Sequence, residues 1–299
     1  ELDADIVLNA VNASGAAPKL KPHRLWARLK IGQGEMRAGL QKINFGSAVL
    51  FRPLQWFDAI DPLDPLGYTE GVKGILARYY LPNNANFWLW GLAGSDELKG
   101  AEIIPTAKYT GEFGGRLQLP VFNGEAGLTY HQRRIDFGAS PTFSLLSDEI
   151  TAERRVGLDG KWDTGIGVWF EAAHSAVDID QQDSQILRAL AKQRLFTIGA
   201  DYTFALGNGL HMLVEKFNQD SSLEVKSENI NSQIYGIMAD YPLNLYDTVS
   251  VLQYYAANTN QTRFSWQRTL DDFVWQILLA HAPGDSQQDA IQFIFSYNY

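Results

Sequence analysis

Ala290-Ile-Gln-Phe-Ile-Phe-Ser-Tyr-Asn-Tyr299 places Ile291, Phe293, Phe295, Tyr297 and Tyr299 at alternate positions, with Gln292, Ser296 and Asn298 between them. Successive side chains of a strand point to opposite faces, so this segment is a strand with one apolar face and one largely polar face. The same period recurs at Phe196, Ile198, Ala200, Tyr202 and Phe204, set against Thr197, Gly199, Asp201 and Thr203. It recurs again at Leu25, Ala27, Leu29 and Ile31 against Arg24, Trp26, Arg28 and Lys30, at Ile166, Val168, Phe170 and Ala172, and at Phe273, Trp275, Ile277 and Leu279. Period two dominates the chain.

Working outward from these segments gives about sixteen strands, with fourteen also compatible. Every second connection is a tight turn: Gly32 to Gly34, Pro82 to Ala85, Pro120 to Gly124, Asp163-Thr164, Leu206 to Gly209, Pro242 to Tyr246 and Leu270-Asp271. Most of the others are longer and more polar, at 45–70, 95–107, 135–151, 177–192 and 218–229. Alternating short and long connections are expected of an all-β, transmembrane, antiparallel up-and-down β-barrel, and a sandwich has no reason to keep them. The expectation is therefore one barrel domain over 1–299.

Composition agrees. No run approaches the roughly 18 apolar residues of a membrane helix, and the mean hydropathy of −0.19 is ordinary because only alternate residues of a barrel meet lipid. The 8 Trp, 13 Tyr and 16 Phe suit interfacial girdles. Most Tyr and Trp are expected on the lipid-facing register, which argues against a sugar-stacking stripe in the lumen. With 34 acidic and 25 basic residues the net charge is −9, which excludes a nucleic-acid partner needing a basic face. There are no cysteines, so disulfides, thiolate metal sites and cysteine nucleophiles are excluded. Glu1-Leu2-Asp3-Ala4 lacks a basic region followed by an apolar core, so a signal peptide is expected to have been removed already, and no soluble plug is expected before the first strand.

No catalytic, cofactor or metal motif stands out. The histidines His23, His131, His174, His211 and His281 are scattered without H-E-x-x-H spacing, and Gly32 to Gly39 is a turn instead of a nucleotide loop. The informative residues are charges on the inward register: Arg24, Arg28, Lys30, Arg37, Arg116, Arg133, Arg155 and Lys161 in the first half, then Glu171, Asp201, Glu215 and Asp240. Facing basic and acidic walls would set up a transverse field that sorts solutes. The opposing expectation is that these charges pair with one another and fill a structural barrel.

The long connection over 45–70 is unusually apolar, with Leu50, Phe51, Leu54, Trp56, Phe57 and Ile60. It is expected to fold into the barrel mouth as a constriction, with Arg52, Trp56, Asp58, Asp61 and Asp64 as its key residues and its carboxylates turned toward the basic strands. The alternative is an exposed patch for a protein partner.

The terminal aromatic strand ending at Tyr299 resembles the closing strand of bacterial outer-membrane proteins. The segment Arg37-Ala-Gly-Leu-Gln-Lys-Ile-Asn-Phe-Gly46, followed by Arg52-Pro53-Leu54, Asp61-Pro62 and Asp64-Pro65, resembles the G-x-Q-x-x-x-x-G segment of porin-like and alginate-export-like barrels. That resemblance implies an integral outer-membrane protein, in contact with outer-membrane lipid and lipopolysaccharide, whose loop enters the pore. The functional expectation is a passive channel for small hydrophilic solutes, and the rival is a scaffold subunit meeting a protein partner through its outer loops. The helical spacing of Ile186 to Lys192 is expected to form a short helix in an outer loop.

Overall fold

A computed structural model describes residues 2–9, 19–58, 69, 71–94, 97–145, 147–179, 187, 192–225, 228–257, 259–282 and 288–297. It contains sixteen strands in one antiparallel sheet whose spatial order is the sequence order. They are β1 (Leu2–Asn9), β2 (Lys19–Ile31), β3 (Gly34–Gln41), β4 (Val72–Tyr80), β5 (Asn86–Leu92), β6 (Glu112–Val121), β7 (Gly124–Asp136) and β8 (Ile150–Asp163). There follow β9 (Gly167–Val177), β10 (Lys192–Phe204), β11 (Leu210–Val225), β12 (Glu228–Pro242), β13 (Asp247–Ala256), β14 (Thr259–Thr269), β15 (Phe273–Ala282) and β16 (Gln288–Tyr297).

The turns at one end are short because their residues accept left-handed backbone: Gly32 has φ 57° and Gly207 has φ 56°. At the opposite end one expected loop is largely absent. Residues 218–229 were expected to form a connection, but the β11–β12 ladder continues through Asn218↔Gln233 and out to Val225↔Glu228. Strands of 16 and 15 residues exceed the roughly 9–11 needed to cross a bilayer, so this hairpin stands above the rest of the wall. Of the expected helix over 186–192, Leu187 is described as helical and Lys192 opens β10; the rest lies outside the described residues.

The sheet curls into a barrel around the connection after β3. Residues of that one segment touch β5 at Trp90, β7 at His131, β9 at Glu171, β11 at Glu215 and β13 at Tyr254. A flat sheet could not bring strands so far apart in its order to one loop.

Side chains divide by face as the period demands. Phe196, Ile198, Tyr202 and Phe204 are exposed on the outside, whereas Thr197 on the same strand is fully buried inside. The outer surface carries Ile31 at 71%, Leu89 at 67% and Phe293 at 74% exposure, along with Leu128, Leu158, Ile237 and Trp275. A continuous apolar belt of this size needs an apolar solvent, which a bilayer supplies. Leu158 sits mid-belt, in register with Leu128 and Ala172. Replacing it by Arg should therefore destabilise the barrel by about 2–4 kcal/mol in lipid. Urea titration of the bilayer-inserted protein measures this, and parental stability would contradict a lipid-facing Leu158.

Candidate functional site

The segment 42–58 leaves β3 and turns into the barrel. Gly46 makes the turn at φ 99°, a left-handed conformation strained for other residues, and an added Cβ would also collide with the Glu171 carboxylate. Past that point the backbone runs through the lumen without a ladder partner, so its N–H groups need other acceptors. Two strand carboxylates supply them. The Ala48 and Leu54 N–H groups donate to Glu171 Oε1 and Oε2 at 2.7 and 3.1 Å. Val49 N–H donates to Glu215 Oε1 at 2.7 Å, and Leu50 and Phe51 N–H donate to Glu215 Oε2 at 2.9 and 2.7 Å. Trp169 Nε1 completes the Glu215 shell at 2.8 Å, and Thr197 Oγ1 donates to the Phe51 carbonyl at 2.7 Å. Such charge-assisted bonds are about twice as strong as neutral ones.

The side chains of the loop pack on both walls. Phe45, Leu54, Trp56 and Phe57 join Ile43, Val72, Leu76, Trp90 and Leu92 in one buried cluster. Phe45 stacks on Trp90 at 5.6 Å and meets Trp56 edge-on at 5.5 Å. Leu54 enters a notch where Gly157 has no Cβ to block it. On the other wall, Ala48 packs with Trp169, Leu213, Met238, Leu252 and Leu278. These contacts correct the expectation for the tryptophans. Trp90 and Trp169 are buried inside, and Trp26 and Trp88 also face inward, each beneath an arginine guanidinium at 4.8 and 3.9 Å.

A second connection closes over the first. Ala101 N–H donates to the Gln55 carbonyl at 3.0 Å, so residues 97–107 rest on the inserted loop. A buried ionic network holds them. Lys99 Nζ pairs with Glu112 at 2.8 Å and Glu102 at 3.3 Å, and Arg133 pairs with Glu102 at 2.9 Å and with Glu153. Arg155 pairs with Glu153 at 2.7 Å and Glu102 at 3.3 Å. His131 lies against Glu112 at 3.1 Å and accepts from Trp90 Nε1 at 3.2 Å. Arg116 grips Asp159 with two bonds of 2.5 and 2.8 Å.

The constriction loop thus engages the walls differently from the sequence expectation. Its carboxylates were expected to face Arg24, Arg28, Arg37, Arg116 or Arg133. Instead, Asp58 pairs with Arg52 of its own loop at 3.2 Å, and the loop offers N–H groups to the acidic strands. Burial pushes the Asp58 carboxyl up from its ordinary range, with Arg52 acting against that shift. Asp61 and Asp64 lie outside the described residues. Arg24 donates to the Thr69 carbonyl at 2.6 Å. Near the short turns, Arg28, Arg37 and Arg78 converge on Glu35 at 2.5, 3.4 and 3.4 Å. Across the lumen, His211 bridges Asp201 and Asp240 at 3.2 Å each, all three half-buried.

Between the inserted loop and the long-loop end lies a cavity of about 360 Å³. Trp56, Pro53 and Gln55 form its floor, and Arg133, Glu153 and Arg155 one side. Ser175, Gln193 and Gln219, all on inward registers, form the other. The arginines and glutamates there neutralise one another, whereas among the described residues no side-chain hydrogen bond is made by Gln55, Gln193, Gln219 or Ser175. The cavity therefore presents free amide and hydroxyl groups beside an indole, a surface for hydroxyl-rich ligands. Among the described residues no group of three or more His, Asp or Glu is placed to hold a metal ion.

The anchor can be tested directly. Glu215→Ala removes the acceptor of three backbone N–H groups and an indole, each worth roughly 1–3 kcal/mol when left buried and unsatisfied. The expected result is a loss of about 3 kcal/mol or more and new protease cleavage within residues 47–54, with Glu215→Gln intermediate. An unchanged, protease-resistant loop would show that the carboxylate holds nothing.

No protein-family pattern matches the sequence, and no curated protein matches it. Among solved structures, the chain is similar to Wzi, an outer membrane protein involved in group 1 capsule assembly in Escherichia coli and described as a carbohydrate-binding β-barrel. The match covers 95% of this chain and 73% of that one, with a TM-score of 0.60 and 11% identity. At that identity the likeness is one of fold: this chain has the architecture of an outer-membrane β-barrel.

Proposed function

We propose that this chain is an integral outer-membrane barrel, without catalytic chemistry, that binds a hydroxyl-rich, saccharide-like solute at its outer mouth above a lumen closed by its own loop. The observation that carries this reading is the loop held across the barrel by Glu171 and Glu215. A segment fixed by five backbone donors and two apolar clusters does not leave the wide lumen of a general diffusion pore. The uncommitted amides above it then face the outside as a binding surface, and the carbohydrate-binding Wzi barrel is an example of the same fold in such a role.

The porin-like channel expected from the sequence is the second reading, and the charges near the short turns favour it. Arg28, Arg37 and Arg78 share the single carboxylate of Glu35 on one wall, facing Asp201 and Asp240 on the other. Half-buried charges of opposite sign across a lumen make a field that would sort small solutes once past the loop.

Conductance separates the two. In planar bilayers the full chain should show little or no steady current, and Glu171→Ala combined with Glu215→Ala should raise it. Binding to immobilised oligosaccharides should weaken about tenfold when Gln193 and Gln219 are both changed to Ala, the loss expected for removing one or two hydrogen bonds. A large steady current through the unaltered chain, no greater in the double glutamate variant, would overturn the closed-lumen reading in favour of the pore.

A further inference from the structure

The outer surface is not uniform around the barrel. On β8 to β11, the first outward side chain above the apolar belt on the long-loop side is basic each time. Arg154 follows Val156, His174 follows Ala172, Arg194 follows Phe196 and Lys216 follows Val214. On β7 this position holds Gln132, and Arg134 is the next outward side chain. The same position on β12 to β16 holds Gln233, Gln253, Thr262, His281 and Asp289, with no Lys or Arg. In a chain of net charge −9, four consecutive strands carry a basic side chain at this position, and Lys73 on β4 is a separate instance of it.

Among the described residues their partners are few. Arg154 reaches Asp178 at 3.1 Å and Arg194 reaches Asp220 at 3.9 Å, in exposed pairs that leave most guanidinium donors free. Lys216 lies over the Tyr235 ring at 5.4 Å, and His174 Nδ1 is enclosed without a hydrogen bond. Directly below, on the lipid-facing side, is an apolar groove of about 560 Å³. Trp162, Phe170, Ile198 and Tyr235 wall it, the small side chain of Ala200 opens it, and Lys216 stands at its edge. A cation row above an apolar groove matches an anionic headgroup above an acyl chain. Neighbouring strands are about 4.8 Å apart, and the register sets Lys216 nearer the short turns than Arg154, so the row from β8 to β11 spans roughly 25 Å, more than one phosphate can bridge.

We propose that this quadrant binds a phosphorylated glycolipid of the outer leaflet, with two or more phosphates on Arg154, Arg194 and Lys216 and an acyl chain in the groove. The site rests on the membrane reading of the belt and is independent of whether the lumen is open. A glycerophospholipid, with one phosphate, satisfies only part of the row.

The test uses the full chain in detergent, mixed separately with diphosphorylated lipid A, dephosphorylated lipid A and phosphatidylglycerol, with bound lipid read by native mass spectrometry. The expected result is retention of the diphosphorylated form, at least about tenfold weaker retention of the other two, and the same loss when Arg154, Arg194 and Lys216 are all changed to Gln. The variant Arg154→Lys with Arg194→Lys, which keeps the charge, should retain most of the binding. Equal retention of phosphorylated and dephosphorylated lipid A by the unaltered chain would overturn the proposal. So would undiminished binding by a triple variant that keeps the heat-sensitive gel migration of a folded barrel. Should the triple variant not fold, the comparison of lipids on the unaltered chain still decides. Conductance plays no part in this result, so a failure here is distinct from a failure of the closed-lumen reading.

Discussion

Backbone N–H groups that leave a ladder inside a barrel must find acceptors, and this requirement organises the interior. Five of them converge on Glu171 and Glu215. Two carboxylates on an inward register would otherwise be costly once water is displaced by the aromatic cluster around Phe45 and Trp90. Loop and wall satisfy each other: of the donors described, Glu171 draws on the loop and Glu215 on the loop and the Trp169 indole, and the loop N–H groups find their acceptors in these two carboxylates. The packing of Leu54 and Trp56 can then be apolar because the polar requirements of the segment are met elsewhere.

This arrangement changes what the lumen charges mean. Seen along the sequence, a basic first half and an acidic second half suggest an open, polarised pore. In the structure the upper charges are spent locally, Arg116 on Asp159 and Arg133 and Arg155 on Glu102 and Glu153, while only the lower ones keep a transverse separation. Buried ion pairs of this kind contribute little net stability but define which surfaces meet. Here they seat a second connection on the first, and the cavity above inherits neutral polar groups.

The fold was legible because alternation is a local property. Thr197 and Ile198 fall on opposite faces whatever lies around them, and the short turns need only their own glycines and asparagines. The inward direction of Glu171 and Glu215 was legible for the same reason. Their partners were not, because register and closure decide which residues meet across a lumen. One strand does carry a signal of the docked loop. Asn86-Phe-Trp-Leu-Trp-Gly-Leu92 is apolar on both faces, with Phe87 and Leu89 outward and Trp88, Trp90 and Leu92 inward. A barrel strand without a polar face implies that something other than water covers its inner side. The same holds for Leu213, Met238, Leu252 and Leu278, whose inward positions mark where the loop docks.

The inserted segment comes early in the chain, and its acceptors arrive 117 to 166 residues later. Contacts of such long range form slowly, since the chain entropy of closing so large a loop is lost before any bond is made. A finished cylinder would also present a narrow entrance to a segment carrying Phe45, Trp56 and Phe57. The order of assembly is thereby constrained. The segment must already lie against the concave face of the growing sheet as β9 and β11 are added, so that the wall is wrapped around its contents.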